Sequence, residues 1–182
     1  GVASDLYGAT AIDLSPLHQC AQLETLHRSS NPALRDLTPL AGVKLRSLLI
    51  YSTGVADLSP LAGMPLRRLV CSKTKVTDLS PLKACPELER LEIEDNPVLR
   101  DLAALSGLKL QELLRSGTAV AELTPLAGMP LRDLRLARTN LRLARTIVTD
   151  VRPLLACRDL ESVLLPDKAA NVGELRTLPK LR

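Results

Sequence analysis

The chain has 182 residues, of which 46% are hydrophobic and 24% charged, as is ordinary for one soluble globular domain. Its net charge of +4 is too small to indicate nucleic-acid binding by itself, and it has no run of about 18 apolar residues that could cross a membrane. Tyr7 and Tyr51 are the only aromatic residues, so the core must be built from aliphatic side chains.

A five-residue pattern, an acidic residue followed by Leu-Ser/Thr-Pro-Leu, recurs along the chain. The steps between the first residues of successive copies are 23, 21, 21, 23, 21, 28 and 24. A nearly fixed period of this size predicts stacked structural repeats. The clear copies begin at Asp13, Asp36, Asp57 and Asp78, weaker ones at Asp101, Glu122 and Asp150, and a degenerate one at Glu174.

A second pattern, L-x-x-L-x-L-x-x-[TN]-x-[LV], lies between these copies and begins at Leu45, Leu66, Leu88 and Leu131. The Leu-x-Leu alternation predicts a short strand with one row of side chains pointing inward. The Thr or Asn that follows predicts a turn, and Ser/Thr-Pro predicts a helix N-cap followed by the first helical residue. Because the period is short, the outer segments should be 3₁₀ or single helical turns.

Together these patterns resemble the leucine-rich repeat superfamily, and they look most like its internalin-type and phosphatase-regulator-type repeats. The resemblance covers the whole chain. It implies an α/β solenoid with a curved parallel β-sheet on the concave face and short helical or 3₁₀ segments on the convex face. We expect a single domain over residues 1–182 with about seven to eight repeats, a ragged first repeat at 1–17 and a degenerate last repeat at 167–182.

The step of 28 residues has a visible cause. The sequence Leu-Arg-Leu-Ala-Arg-Thr occurs twice within residues 134–147, and deleting either seven-residue copy restores a step of 21. The first copy keeps Leu131 in register, whereas the second keeps Thr146 and Val148 in register. We expect the first copy to supply the strand, with some register ambiguity because nearly equal pairings are poorly discriminated.

The four cysteines form no C-x-x-C motif and no Cys/His cluster. Cys20, Cys71, Cys85 and Cys157 are therefore expected to be small buried hydrophobic residues rather than disulfide partners or metal ligands. Free buried thiols favour a reducing compartment, so we expect an intracellular, cytoplasmic protein. The chain begins at Gly1 without a leader, which is typical of a mature product or an excised fragment.

The concave face of the predicted sheet is the candidate binding surface. Four of the seven residues in its central column are aliphatic, and a contiguous exposed apolar patch would mark an interaction site. The alternative is that β-propensity alone selects Leu and Val there. The central column contains His27, Leu49, Val70, Glu92, Leu114, Arg135 and Leu164, and the flanking candidates are Tyr51, Arg68, Arg90 and Glu112.

Two arginines fall in slots that other repeats fill with buried aliphatic residues. We expect Arg28 and Arg115 to lie in a local bulge or to turn outward, because an unpaired buried charge is costly; a buried ligand-binding arginine is the less favoured alternative. Arginines also concentrate between residues 132 and 158. A solvated surface is preferred there over a site for an acidic partner or a phosphate backbone, since aromatic stacking residues are absent.

No catalytic pattern stands out. His18 and His27 are the only histidines, and the chain has neither a Gly-rich phosphate loop nor a recognisable triad, so we expect no enzyme activity and no cofactor. We expect a protein–protein interaction scaffold, with nucleic acid an unlikely partner. One alternative is a regulatory or substrate-docking module excised from a kinase, phosphatase or ubiquitin ligase. Another is a structural element that self-associates by stacking through uncapped ends.

Overall fold

The computed structural model describes residues 13–20, 22–136 and 148–182. Within these residues, seven three-residue strands form one parallel sheet in chain order, and eight 3₁₀ helices form the opposite wall. This architecture confirms the predicted solenoid. The strands are β1 (Thr25–His27), β2 (Ser47–Leu49), β3 (Arg68–Val70), β4 (Arg90–Glu92), β5 (Glu112–Leu114), β6 (Asp133–Arg135) and β7 (Ser162–Leu164). The helices are η1 (Ser15–Gln19), η2 (Thr38–Leu40), η3 (Ser59–Leu61), η4 (Ser80–Ala84), η5 (Ala103–Leu105), η6 (Thr124–Leu126), η7 (Arg152–Ala156) and η8 (Val172–Thr177).

The sheet is in register along its whole described length, because the central residue of each strand pairs with the central residue of the next. Leu26 pairs with Leu48, and Leu48 with Leu69. Their side chains point into one continuous aliphatic core, which also takes in the Leu of each 3₁₀ helix. Stacking residues of the same size in each layer lets every repeat bury its apolar side against its neighbours.

The recurring Asp, rather than the following Ser or Thr, accepts the first backbone N–H of six of the described 3₁₀ helices, η1 to η5 and η7. Asp57 Oδ1 accepts a hydrogen bond from the Ser59 backbone N–H at 2.8 Å, and Ser59 Oγ donates to Asp57 Oδ2 at 2.7 Å. The N-cap residue itself is Leu58, and Ser59 is the first helical residue. The predicted Ser/Thr N-cap is therefore wrong by one position, since the carboxylate two residues earlier already satisfies that N–H.

The Thr and Asn residues that follow the strands bind backbone groups, as predicted. Thr74 Oγ1 donates to the Cys71 carbonyl at 2.8 Å. Asn96 Oδ1 accepts the Thr74 N–H at 2.8 Å, while Asn96 Nδ2 donates to the carbonyls of Cys71 and Ile93. These bonds join consecutive repeats where the chain leaves the sheet, so the ends of the strands are held in fixed positions beside the open face.

The unit of repetition is three turns of the solenoid rather than one. Helices η1, η4 and η7 have five residues, whereas η2, η3, η5 and η6 have three. The interval from Asp13 to Asp78 is 78 − 13 = 65 residues; that from Asp78 to Asp150 is 150 − 78 = 72, longer by the seven duplicated residues. A Cys follows each five-residue helix, and Cys85 Sγ lies 3.3 Å from the Leu61 carbonyl oxygen.

Three of the four cysteines are buried, but Cys20 is exposed, which corrects the prediction for that residue. Cys85 and Cys157 are buried against carbonyls of the preceding repeat, those of Leu61 and Leu126. Cys20 Sγ lies 3.9 Å from the carbonyl oxygen of Pro16 in its own helix.

The first copy of the duplicated segment supplies strand β6, as expected. Residues 137–147, and with them the predicted register ambiguity, lie outside the described residues. Most of the ragged first repeat does as well. At the other end, Leu175 and Leu178 join the core and Asp150 pairs with Ala170. The domain boundaries themselves stay a prediction.

Candidate functional site

The concave face is defined here as four columns of residues on the side of the sheet away from the core. Each repeat contributes the two flanking residues of its strand, the next outward residue, and a residue with positive φ that turns the chain out of the sheet. The first column contains Thr25, Ser47, Arg68, Arg90, Glu112, Asp133 and Ser162; the second, His27, Leu49, Val70, Glu92, Leu114, Arg135 and Leu164. The third contains Ser29, Tyr51, Ser72, Glu94 and Ser116; the fourth, Ser30, Ser52, Lys73, Asp95 and Gly117.

The predicted exposed aliphatic column is not exposed at its centre. Val70 is 6% and Leu114 is 7% accessible, whereas Leu49 and Leu164 are half-buried. Both buried residues pair in register with Glu92, on an adjacent strand about 4.8 Å away. Long charged side chains at that spacing cover a shorter aliphatic one with their methylene groups. Val70 and Leu114 therefore form the floor of the face and not its contact surface.

A chain of ion pairs crosses the middle of the face. Glu92 Oε1 accepts hydrogen bonds from Arg68 Nη2 at 3.0 Å and from Arg90 Nε at 2.9 Å. Arg90 also pairs with Glu112. Because the arginines are more than one third exposed, each pair is expected to add only about 0.2–1 kcal/mol to stability. Their larger effect is to hold side chains of β3, β4 and β5 in defined positions.

Two polar atoms of the face are buried without a hydrogen-bond partner among the described residues. They are Arg68 Nε and Asp133 Oδ1. The second carboxylate oxygen of Asp133 lies 3.4 Å from Arg135 Nη2. Buried polar atoms without a hydrogen-bond partner are uncommon in folded proteins. The concave face therefore holds polar groups whose hydrogen-bonding capacity is not fully used by the other described residues.

The N-terminal part of the face is where aromatic and aliphatic surface remains accessible. Lys73 Nζ lies 5.2 Å from the centre of the Tyr51 ring, a cation–π arrangement. Tyr51, Leu49 and His27 are all half-buried. This part of the face therefore combines a ring, an apolar side chain and a cation within two neighbouring repeats.

The two inward arginines do not turn outward, which corrects the prediction made for them. Arg115 is 0% accessible; its Nη1 lies 3.3 Å from Thr118 Oγ1 and 3.4 Å from the Val120 carbonyl. Burial lowers the pKa of Arg115 to about 10, so it is still a cation at neutral pH. Arg28 is also buried, and its Nη1 donates to the His27 carbonyl. Arg115 finds its acceptors in the turn after β5, and Arg28 finds one at the end of β1, so neither side chain has to leave the inward slot to make a hydrogen bond.

The described residues show no assembled catalytic or metal site. No group of three or more His, Cys, Asp or Glu residues among them is placed to hold a metal ion. His18 lies in η1 on the outer wall and His27 in β1, so the two histidines do not meet. Within the same part of the chain, no helix is both long and apolar enough to span a membrane.

Comparison with known proteins agrees with the geometry. The family model described as Leucine Rich repeats (2 copies) matches residues 66–107. The crystal structure of internalin C2 from Listeria monocytogenes is 30% identical over 85% of this chain and 66% of that one, with a TM-score of 0.75. The structure of an internalin (inlF) from the same organism is 25% identical over 93% of this chain and 49% of that one, with a TM-score of 0.77. No curated protein sequence matches.

The in-register sheet, the 3₁₀ wall and these matches define the class as leucine-rich repeat solenoids. The chain has the leucine-rich repeat fold and is similar to the internalins. It spans less than two thirds of the length of either internalin. Leucine-rich repeat proteins are generally protein-interaction modules.

Proposed function

We propose that this protein is a recognition scaffold that binds a protein partner through its concave face. The observation that carries the proposal is the ion-pair chain from Arg68 through Glu92 and Arg90 to Glu112, which orders side chains on three adjacent strands before any partner arrives. A surface ordered in advance loses less conformational entropy on binding. The ion-pair chain lies on the sheet of a fold whose members generally bind proteins, and this supports the same role.

The residues proposed to contact the partner are not the aliphatic column predicted from the sequence. Tyr51 and Leu49 are the half-buried anchors, with His27 beside them, because aromatic residues contribute strongly to binding when a partner removes them from water. The charged contacts come from the central strands and β6, and Leu164 continues the surface onto β7; the charged residues are Arg68, Arg90, Glu92, Glu112 and Arg135. Val70 and Leu114 support this layer from below.

The proposal is tested by affinity capture from a lysate of the source organism, followed by mass spectrometry. The concave variant is Tyr51→Ala/Glu94→Lys, both changes being on the face. Its matched control is Val98→Ala/Glu122→Lys, which makes a similar apolar truncation and the same charge change at exposed positions off the face. Circular dichroism checks that all three proteins fold alike.

A partner recovered with the wild type and the control, but lost with the concave variant, is the expected result. Equal recovery with all three proteins would contradict binding through the concave face. The alternative of a docking module excised from a larger signalling enzyme stays a prediction, which the sequence flanking this chain in its parent gene would test.

Self-association is a second candidate, favoured by one feature of β7. Val163 occupies the central strand slot but is only half-buried, whereas Leu134, its partner on β6, is fully buried. The last strand of the described sheet thus leaves part of an apolar slot accessible. Sedimentation velocity over a range of concentrations tests this candidate, which fails if the chain stays monomeric throughout.

A further inference from the structure

Charge is segregated along the concave face. Over β1–β3 the described face carries two cations, Arg68 and Lys73, and no carboxylate. Over β4–β6 it carries two arginines and five carboxylates, a net charge of 2 − 5 = −3. The members of the second group are Arg90, Arg135, Glu92, Glu94, Asp95, Glu112 and Asp133.

Building on the proposed function, we propose that the partner presents a bipolar polypeptide segment to this face. Its acidic half lies over β1–β3 and its basic half over β4–β6. Complementary potentials of this kind guide association and fix the register of a bound segment, because the reversed pairing places like charges together.

The basic half is suited to carboxylates. Lys73 is exposed beside Tyr51, and the same two columns contain the hydroxyl groups of Ser29, Ser30 and Ser52. A partner carboxylate over β1 and β2 would meet hydroxyl donors and approach the Lys73 ammonium, with no acidic residue of the face in those two repeats.

The acidic half keeps negative charge after its internal pairs are counted. Arg90 pairs with Glu92 and Glu112, and Arg135 lies beside one oxygen of Asp133. Arg68 of β3 also pairs with Glu92, which ties one of the two cations of β1–β3 to the acidic half. The half-buried carboxylate of Glu94 makes no hydrogen bond or ion pair within the described residues. Glu94 is therefore the position where a partner Lys or Arg would gain most.

The size of the face sets the length of the segment. Neighbouring strands lie about 4.8 Å apart, so the five intervals from β1 to β6 span about 24 Å. An extended chain advances about 3.3 Å per residue, so about seven or eight residues cover that distance. The change from acidic to basic residues should fall near the middle of the segment, over the boundary between β3 and β4.

A second copy of this chain would also be complementary in charge, since a two-fold arrangement would place the basic half of one copy against the acidic half of the other. Two concave faces, however, meet at their rims and leave the sheets apart. A narrow segment can lie along the columns, which favours a separate partner.

Fluorescence anisotropy with synthetic peptides tests the inference at low salt, where surface charges are weakly screened. One labelled peptide of about ten residues has a Glu-rich half and a Lys-rich half. The second has the same composition with alternating charges, so both are neutral overall. We expect the block peptide to bind the wild type about tenfold more tightly than the alternating one.

Single variants test whether each half of the concave face contributes to binding of the block peptide. Lys73→Glu and Glu94→Lys should each weaken block-peptide binding severalfold, whereas Lys109→Glu and Glu122→Lys, exposed positions outside the face with the same charge changes, should not. Equal affinity for the two peptides, or equal loss with the outer variants, would overturn the inference. So would sedimentation showing a dimer that Lys73→Glu or Glu94→Lys disrupts, because the face would then bind a second copy.

The two proposals can fail separately. If a lysate partner is lost with Tyr51→Ala/Glu94→Lys but the peptides do not differ, concave-face binding stands and the bipolar partner is wrong. If the block peptide binds as expected but no partner is lost with that variant, the face selects bipolar segments and the proposed function is wrong.

Discussion

Gly117 packs directly against Asp95 of the preceding repeat. A Cβ atom at position 117 would lie 2.5 Å from Asp95 Oδ1, closer than carbon and oxygen can approach. The φ angle of Gly117 is +73°, and Asp95, one repeat earlier, also has a positive φ of 56°. Both residues occur where the chain leaves the sheet beside the concave face. The repeats that contain β4 and β5 can therefore approach each other there only because Gly117 has no side chain.

Gly117→Ala should therefore destabilise the protein more than Gly107→Ala. Gly107 also has a positive φ, of 81°, but no atom lies within 4 Å of the position a Cβ would take. We expect a loss of about 1 kcal/mol for Gly107→Ala from backbone strain alone, and about 2–3 kcal/mol for Gly117→Ala, where overpacking is added. Urea unfolding measures both, and equal losses would show that the contact with Asp95 is relieved at no cost.

Replacing Arg115 by Ile should stabilise the fold. Ile50 and Ile93 occupy the same inward slot in other repeats, while Nε and Nη2 of Arg115 are buried without a partner among the described residues. Exchanging a buried charge for an apolar side chain of similar volume is expected to gain about 1–3 kcal/mol. Arg115→Ala serves as the control, since it removes the charge but leaves a cavity. A loss of stability with Arg115→Ile would show that its guanidinium has a strong partner.

Acid should destabilise the protein through the Asp caps. The Ser59 backbone N–H and then its hydroxyl lower the pKa of Asp57, and the Ser80 hydroxyl and then its N–H lower that of Asp78. The stability that these ionised carboxylates contribute is complete above the ordinary Asp value of about 3.9 and is lost as the pH falls through the lowered folded values. Asp57→Asn/Asp78→Asn should be less stable at neutral pH but decline less steeply below pH about 4.

Thermal unfolding at a series of pH values measures that decline. Ser59→Ala/Ser80→Ala is the companion variant, because it keeps both carboxylates but removes their hydroxyl donors. Its loss of stability should begin near the same ordinary Asp value but be smaller and complete at a higher pH than in the wild type, because the folded pKa values are lowered less. An unchanged acid profile in both variants would mean that these caps do not contribute to the pH dependence.

One thiol of the four should react rapidly in the folded protein. Cys20 is exposed, whereas Cys71, Cys85 and Cys157 are buried, and burial, with a smaller effect of Glu92, raises the pKa of Cys71 to about 12. Titration with a disulfide reagent at neutral pH should therefore modify one cysteine natively and four in denaturant. Cys20→Ser should abolish the fast reaction. Fast reaction of two or more thiols in the wild type would indicate that repeats open readily.

Periodicity was enough to predict the solenoid, because each repeat carries the same inward leucines and the same turn residues. The three-turn unit was not predicted, although the steps of 23, 21 and 21 are consistent with it, and it became clear only from the five-residue helices η1, η4 and η7. The helix N-cap was predicted one position too late, at the Ser or Thr. The repeat pattern does not show which of its side chains accepts the hydrogen bond from the first helical N–H.

The sequence predicted which residues lie on the open face but not how their side chains pack there. Strand alternation correctly placed Val70 and Leu114 on the open face, yet it carries no information on how the long side chains of neighbouring strands lie over them. It likewise assigned Arg115 to the inward slot without showing that Thr118 and Val120 offer acceptors there.

The sequence by itself determined the repeat length, the inward and outward rows and the residues available to the concave face, since all of these follow from spacing along one chain. The tertiary structure decided which of those residues are accessible and which charges neutralise one another. The burial of Val70 and the pairing of Glu92 with Arg68 depend on side chains of neighbouring strands. These side chains are about one strand spacing from each other in space but 20 or more residues from each other along the chain. Arg90, the other partner of Glu92, lies on the same strand. Accessibility and charge compensation are properties of that packing, and they decide what the face can bind.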